Sequence, residues 1–495
     1  MGVIAKQSIK GSILIYIAIV IGFINTGLIF PKVLNTEQIG LLNILISYVT
    51  IISQFGNLGF TSTIIKFFPY FKNKDKFHNG FLKLITIVSF LGFLISVGIF
   101  FIIKSFLIKT GTEKSILFFE YIYLIIPLVF FTIYFNAYDA YYRAHLNSVP
   151  GIFYKEFGVR ILVLVFILLF YFKIIDFRGF VLLYVLANSM PAIGIMFSLV
   201  KFNEFRFGNK EIRIKKALKR AMISVSLYSI ISSFSGVILI SVDRIMLERF
   251  NGLSDVGIYS IAFFFSSLVA ITARPISLIS GAVIADFWKK KNLGKISELY
   301  ETTAINQFAI GVLVLIGIWA NIHTVFQILP HEYLVAKYVI LLLGLSHLID
   351  MLSGSSVNIL ALSKYYRYHT YFMIFFIVIA IISNWILIPI YGIMGAAIGS
   401  LISKLFYSII RCIFLYIKFN LFPYSFKFIV VVIVGFVTYF MSRLLFIMDN
   451  MYIDFLLRSS IITIIYLLLI YIFKVSKEIN YKVDDIIRFI KPNFK

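Results

Sequence analysis

The chain has 495 residues, of which 61% are hydrophobic and 14% charged, and it carries a net charge of +24. Ordinary soluble chains carry about 25% charged residues, so a soluble fold is excluded, and with it a soluble basic domain for nucleic acid. Apolar runs of about 20 residues, enough to cross a roughly 30 Å hydrocarbon layer, recur from end to end and read as a polytopic all-α membrane protein.

Fourteen apolar spans are predicted, at roughly 11–31, 41–65, 81–103, 116–138, 153–172, 180–200, 218–242, 257–283, 302–320, 334–361, 369–389, 393–415, 426–447 and 455–473. The first ends at "FPKVLN" without a small-residue cleavage site, so it reads as a retained helix and not a signal peptide. Charges inside spans cost about 2.5–3.5 kcal/mol each and are functional candidates by default. In chain order these are Lys66 near the end of span two, Asp139 near the end of span four and Arg160 in span five. For Lys66 and Arg160, snorkelling to headgroups is an equally good reading.

The longest non-apolar stretch, roughly 201–218, is basic and separates two halves. Span seven closes on "LISVDRIMLERF" (239–250). Asp243 and Arg244 are adjacent, so they splay about 100° apart on a helix and cannot easily pair with each other. Asp243 is placed for a partner on another helix, and Arg244 can reach Glu248 one turn on. The functional reading is an outer gate or latch; the structural alternative is a helix end that snorkels.

Span eight holds Arg274 directly before Pro275, which removes a backbone donor and predicts a kink beside a buried guanidinium. Span ten carries His347 and Asp350 on one helix face, readable as a proton or cation site. Span twelve carries Lys404 after Gly395 and Gly399, a GxxxG spacing that admits a close neighbouring helix. A structural ion pair between Lys404 and Asp350 is the competing reading. The single cysteine, Cys412, excludes an internal disulfide and any multi-cysteine metal site. The tail "VDDIIRFI" is amphipathic and fits either a membrane surface or solvent.

About 31 of the Lys and Arg residues fall in alternate loops together with the N-terminus, and about 10 in the others. Both termini are therefore expected in the cytoplasm. A shift of 217 positions lays Gly40 on Gly257, Ile44 on Ile261, and Lys72 and Lys74 on Lys289 and Lys291. Each repeated unit holds six spans, so the two share one orientation, an arrangement known in secondary transporters. The expected organisation is a six-helix lobe over 1–210, a second over 211–420, two additional helices over 421–475 and a cytoplasmic tail over 476–495.

"VDRIML" closes span seven, "SDVGIYSIA" opens span eight, "PIYGIMGAAIGS" lies between spans eleven and twelve, and "TEQIGLLNI" with "GNLGF…FFPYF" lies in spans one and two. Together they resemble the polysaccharide-repeat-unit (O-antigen and capsule) flippases of the multidrug/oligosaccharidyl-lipid/polysaccharide exporter superfamily, over about residues 1–475. The resemblance implies a translocase for undecaprenyl-pyrophosphate-linked oligosaccharide in the bacterial cytoplasmic membrane. It implies two lobes around a cationic cavity, a lipid-tail groove formed by the last two helices, and polysaccharide polymerase or assembly proteins as partners. Lipid II flippases share the superfamily and span count; multidrug exporters share the lobes and usually lack the last two spans.

On this reading Arg274, Lys404, Arg160, Arg244 and Lys66 meet the anionic substrate. Asp243, Asp350, His347, Asp139 and Pro275 serve gating or ion coupling. No phosphate-loop or HExxH motif is present, so neither ATP hydrolysis nor zinc chemistry is indicated, and no cofactor is expected. A proton or sodium gradient, or the membrane potential, is the expected drive. The alternative from another class is a membrane polymerase or acyltransferase. It fits less well, because the outer loops are too short for a catalytic domain and His347–Asp350 lacks a nucleophile.

Overall fold

A computed structural model describes residues 3–73, 77–110, 115–145, 147–201, 215–271, 273–444 and 449–476, with 478, 480, 481 and 484. The side chains of 3–10, 12, 77, 109, 110, 231–240, 274, 278 and 282 are outside that description. Among the described residues there is no strand. Among the same residues, twelve helices are long and apolar enough to cross a membrane. The two remaining predicted spans are helical as well. Span five lies in the unbroken helical run from Val149 to Tyr171, which includes the charges Lys155, Glu156 and Arg160, and span seven lies in the 36-residue helix Lys216–Asn251.

Contacts divide the chain into two compact units, Met1–Ser260 and Ile261–Lys495. The first contains α1 (Val3–Gly22), α2 (Thr36–Gly56), α3 (Phe60–Phe71), α4 (Phe81–Thr110), α5 (Ile125–Ala144), α6 (Val159–Tyr171), α7 (Phe177–Lys201), α8 (Lys216–Asn251) and the start of α9 (Leu253–Ser267). By contacts α8 goes with the first unit, because it packs along α2 and α3. The second contains the rest of α9, then α10 (Ala273–Lys289), α11 (Leu293–Ala320), α12 (Lys337–Leu352), α13 (Ser356–Ala361), α14 (Tyr366–Tyr391), α15 (Ile393–Phe419), α16 (Phe426–Arg443) and α17 (Met451–Ile472).

The internal repeat is visible in the helix boundaries. The 217-residue shift carries the start of α2 at Thr36 onto the start of α9 at Leu253. It carries the helical run starting at Val149 onto Tyr366, where α14 starts, and the start of α7 at Phe177 to within one residue of Ile393. The last two helices have no counterpart. They are also lipid-like on most of their surface: in α17 only 22% of the spanning window is buried.

Local signals set the helix ends. Asn35 and Gln38 form a reciprocal capping box at the start of α2, with Asn35 Oδ1 accepting from Gln38 N at 2.8 Å and Gln38 Oε1 accepting from Asn35 N at 3.0 Å. Gly392, at φ 55, turns the chain from α14 into α15. The GxxxG spacing then does what it predicts. A Cβ on Gly395 would stand 2.1 Å from Leu387 O, and one on Gly399 2.3 Å from Asn384 Oδ1, so α14 and α15 meet at backbone distance.

Within the first unit, the repeat-related glycines make a reciprocal contact. A Cβ on Gly40 would lie 1.9 Å from Leu253 O, and a Cβ on Gly257 1.9 Å from Thr36 O. The hydroxyls of Thr36 and Ser254 lie 2.8 Å apart beside this crossing. Replacing Gly40 or Gly257 by leucine is expected to cost about 1–3 kcal/mol through overpacking. The measurement is thermal unfolding of the detergent-purified protein; an unchanged midpoint would show that the crossing is not close-packed.

Candidate functional site

In the second unit, α12 and α15 lie side by side and bring three of the expected residues together. Lys404 Nζ is 3.0 Å from Asp350 Oδ2 and 3.3 Å from His347 Nδ1. The ammonium can only donate, so His347 presents an unprotonated Nδ1. The imidazole is buried, with its ring edge-on to Phe263 at 5.7 Å. Lys404 is 15% exposed at its side chain and Asp350 43%, so the pair is open to a ligand on the carboxylate side. Lys404 lies eleven residues from the start of α15, roughly 17 Å along the axis, which is too deep for snorkelling. One turn further, Ser353 and Ser408 are hydrogen-bonded and continue the polar seam.

The opposite face of α12 is apolar. Leu341, Leu345, Leu348, Ile349 and Leu352 repeat at helical spacing and line a groove of about 600 Å³. Phe308, Val312 and Trp319 of α11, Leu401 of α15, and Val432, Gly435 and Phe436 of α16 complete it. One helix therefore presents a charged face to α15 and a wall of the groove on its back. Arg274 opens α10, and its side chain lies outside the described residues. Pro275 sits in the first turn of α10, where its missing N–H leaves no bond unmade. The interruption of span eight falls just before it, at the 3₁₀ turn Leu268–Ala270.

In the first unit the expected charges fall in separate places. Asp243 is 5% exposed, and its Oδ2 accepts a 2.6 Å hydrogen bond from Tyr259 Oη, which ties the end of α8 to α9 across Gly252. The partner predicted to lie on another helix is thus a tyrosine. Arg244 lies within electrostatic reach of Tyr259, Asp243 and Tyr184. Tyr259→Phe removes a charge-assisted buried hydrogen bond, and a loss of about 1.5–3 kcal/mol in unfolding stability is expected. A wild-type melting curve would show that Asp243 holds no tension across this joint.

Asp139 pairs with Arg143 at 2.9 Å. Its Oδ1 lies so close to Gly151 that a Cβ there would stand 1.8 Å away. Arg160 pairs with Glu156 at 3.2 Å, and its backbone oxygen accepts from Asn25 Nδ2 at 2.7 Å. Asn25 and Glu156 each lie in a π-helical segment, Phe23–Ile29 and Phe153–Gly158. Such segments interrupt regular hydrogen bonding and frequently mark functional sites. Lys66 is exposed on α3, with Nζ 5.7 Å from the centre of the Phe67 ring.

Among the described residues, one buried ion pair and one buried arginine lie outside the set read from the sequence. Asp454 and Arg458 are buried together at the start of α17, spaced i,i+4 in "DFLLR". Arg411 is buried in α15, inside the apolar run 393–415. Both obey the rule that intramembrane charge is a candidate. The amphipathic tail stretch falls almost wholly outside the described residues. Among the described residues, no group of three or more His, Cys, Asp or Glu is placed to hold a metal ion.

A sequence profile for a family described as polysaccharide biosynthesis protein matches residues 6–284. No curated protein matches the chain. Among solved structures, the fold is similar to "Lipid II flippase MurJ, inward closed conformation", at TM-score 0.76 and 14% identity over 94% of this chain and 98% of that one. It is also similar to a multidrug resistance MATE family transporter of the MOP superfamily. The inward-facing form matches at TM-score 0.59 and 15% identity over 83% of this chain and 94% of that one. The outward-facing form matches at TM-score 0.57 and 14% identity over 86% and 96%. At these identities the likeness is one of fold.

Proposed function

The chain belongs to the polysaccharide biosynthesis protein family, and from that premise we propose that it translocates a lipid-linked oligosaccharide across the bacterial cytoplasmic membrane. The substrate class is an oligosaccharide repeat unit on undecaprenyl pyrophosphate. The observation that carries this reading is the two-faced α12. A half-buried lysine held by Asp350 and His347 lies on one side, and an apolar groove closed by α16 lies on the other. An amphiphile with a pyrophosphate headgroup and a long hydrocarbon tail needs both surfaces close together.

In this mechanism Lys404 meets the phosphate as a mobile point charge. The incoming anion competes with Asp350 for the ammonium. The released carboxylate takes up a proton or cation, which couples transport to a gradient. Arg160, Lys66, Arg244 and Arg274 supply further positive charge, and the Asp243–Tyr259 joint acts at the gate. Asp139 orders Arg143, and the break in span eight at Leu268–Ala270, a few residues before Pro275, is a moving part. Both termini face the cytoplasm, and polymerase or assembly proteins receive the exported unit.

The match to a lipid II flippase structure over 94% of this chain and 98% of that one favours lipid II as the second reading. Deleting the gene and extracting polyprenyl-linked intermediates separates the two. Complete repeat units that accumulate and stay inaccessible from outside support the proposal, and accumulated lipid II supports the second reading. Unpolymerised units already exposed outside would point instead to a polymerase. Complementation with Leu345→Arg, which places a charge in the groove, is expected to leave the intermediate pool as high as in the deletion.

A further inference from the structure

Arg411 is 2% exposed, deep in α15, and seven residues beyond Lys404 on the same helical stripe. Its guanidinium stacks on the Tyr407 ring at 4.4 Å. Among the described residues no hydrogen bond or ion pair reaches it, and its Nε is sealed from solvent without a partner. Lys404, the next cation on the stripe, is already held by Asp350. A buried guanidinium normally has an anionic partner, because an uncompensated buried charge is strongly destabilising.

The surroundings are rich in hydroxyl donors, and among the described residues no carboxylate is ion-paired with Arg411. Tyr300, Tyr424 and His369 lie within electrostatic reach of Arg411. Tyr300 is 0% exposed and Ser356, beside it, 1%. The two hydroxyls lie beside each other, that of Tyr300 also beside Cys412, and neither makes a hydrogen bond of good geometry. Ile359, Leu360 and Leu415 wall the cluster with apolar side chains. Stacking on Tyr407 satisfies the face of the guanidinium and leaves its in-plane N–H groups to be met by an acceptor.

We propose that this cage, formed by Arg411, Tyr300 and Ser356 with Tyr424 at its edge, binds a small monovalent inorganic anion of the halide class. Charge selects the valence. One guanidinium with neutral hydroxyl donors is balanced by a single negative charge, whereas a dianion would leave a buried net charge. Depth excludes a lipid headgroup, since the arginine lies about eight residues, roughly 12 Å, inside the end of α15. The site is separate from the Lys404 pair and does not rest on the transport reading.

The test is thermal unfolding of the detergent-purified full chain at fixed ionic strength, with sodium gluconate replaced stepwise by sodium chloride or bromide. Wild type is expected to gain a saturable rise of roughly 1–2 °C in midpoint once halide exceeds its dissociation constant about tenfold. The rise is expected to vanish in Arg411→Met. Should that variant fail to fold, anomalous diffraction from wild-type crystals in bromide decides, with a peak expected between the guanidinium and Tyr300 Oη. Equal midpoints in gluconate and halide, a shift produced by sulfate but not halide, or density fitting water alone would each overturn the proposal.

Discussion

Lys404→Ala is expected to lower export of lipid-linked units by about ten- to a hundredfold at matched expression, the equivalent of losing one charge-assisted contact of roughly 1.5–3 kcal/mol to the headgroup. The readout is the pool of untranslocated intermediate beside surface polysaccharide. The same variant also leaves Asp350 without its cation, so a structural role must be separated from a binding role. Lys404→Gln combined with Asp350→Asn does that. It is nearly isosteric, neutral on both sides and keeps the hydrogen-bonding groups, so a purely structural pair would tolerate it. If Lys404 meets the anion, the double variant stays defective while Lys404→Arg keeps much of the activity. Normal polysaccharide in both Lys404→Ala and the double variant would remove Lys404 from the substrate path.

The second large effect concerns the pair at the start of α17. Arg458 grips Asp454 through Nε at 3.3 Å and Nη2 at 3.0 Å, and its Nη1 donates to Ser442 O at 2.8 Å. His323 Nε2 lies 3.5 Å from the same carboxylate. Asp454 and Arg458 are 3% and 5% exposed, so neither charge can be rescued by solvent. Asp454→Ala is therefore expected to cost about 3–5 kcal/mol, because it strands a buried guanidinium. Asp454→Leu with Arg458→Met removes both charges at similar volume and is expected to recover most of that loss. A double-mutant cycle on thermal unfolding reads this directly; additive losses would mean that the two charges do not stabilise each other.

Much of the helical architecture was legible because a bilayer enforces it. Backbone groups in hydrocarbon must bond internally, so each long apolar run becomes a helix. The Lys404–Asp350 pairing was legible for a related reason: few charges occur at that depth, and each needs a partner. The Tyr259 partner of Asp243 was not, because a tyrosine in an apolar run reads as core or interface until the crossing of α8 and α9 is known. The groove was hidden for the opposite reason. Leu341, Leu345 and Val432 line it, and in sequence they cannot be told from leucines and valines that face lipid. Lys66, Arg160 and Asp139 show a third case, in which the charge is evident in the sequence and its neighbours depend on how α3, α5 and the two π-helical segments are placed.

The central claim is that the chain itself moves a lipid-linked oligosaccharide between leaflets. The most direct measurement reconstitutes it in liposomes holding a fluorescent undecaprenyl-pyrophosphate oligosaccharide, imposes a proton or sodium gradient, and follows the headgroup fraction reached by an external glycosidase. Wild-type protein is expected to bring inner-leaflet substrate to the enzyme, and Lys404→Ala to leave it protected as in protein-free vesicles. Protection that persists with wild-type protein under both gradients, or transfer that proceeds equally with Lys404→Ala, would contradict the account.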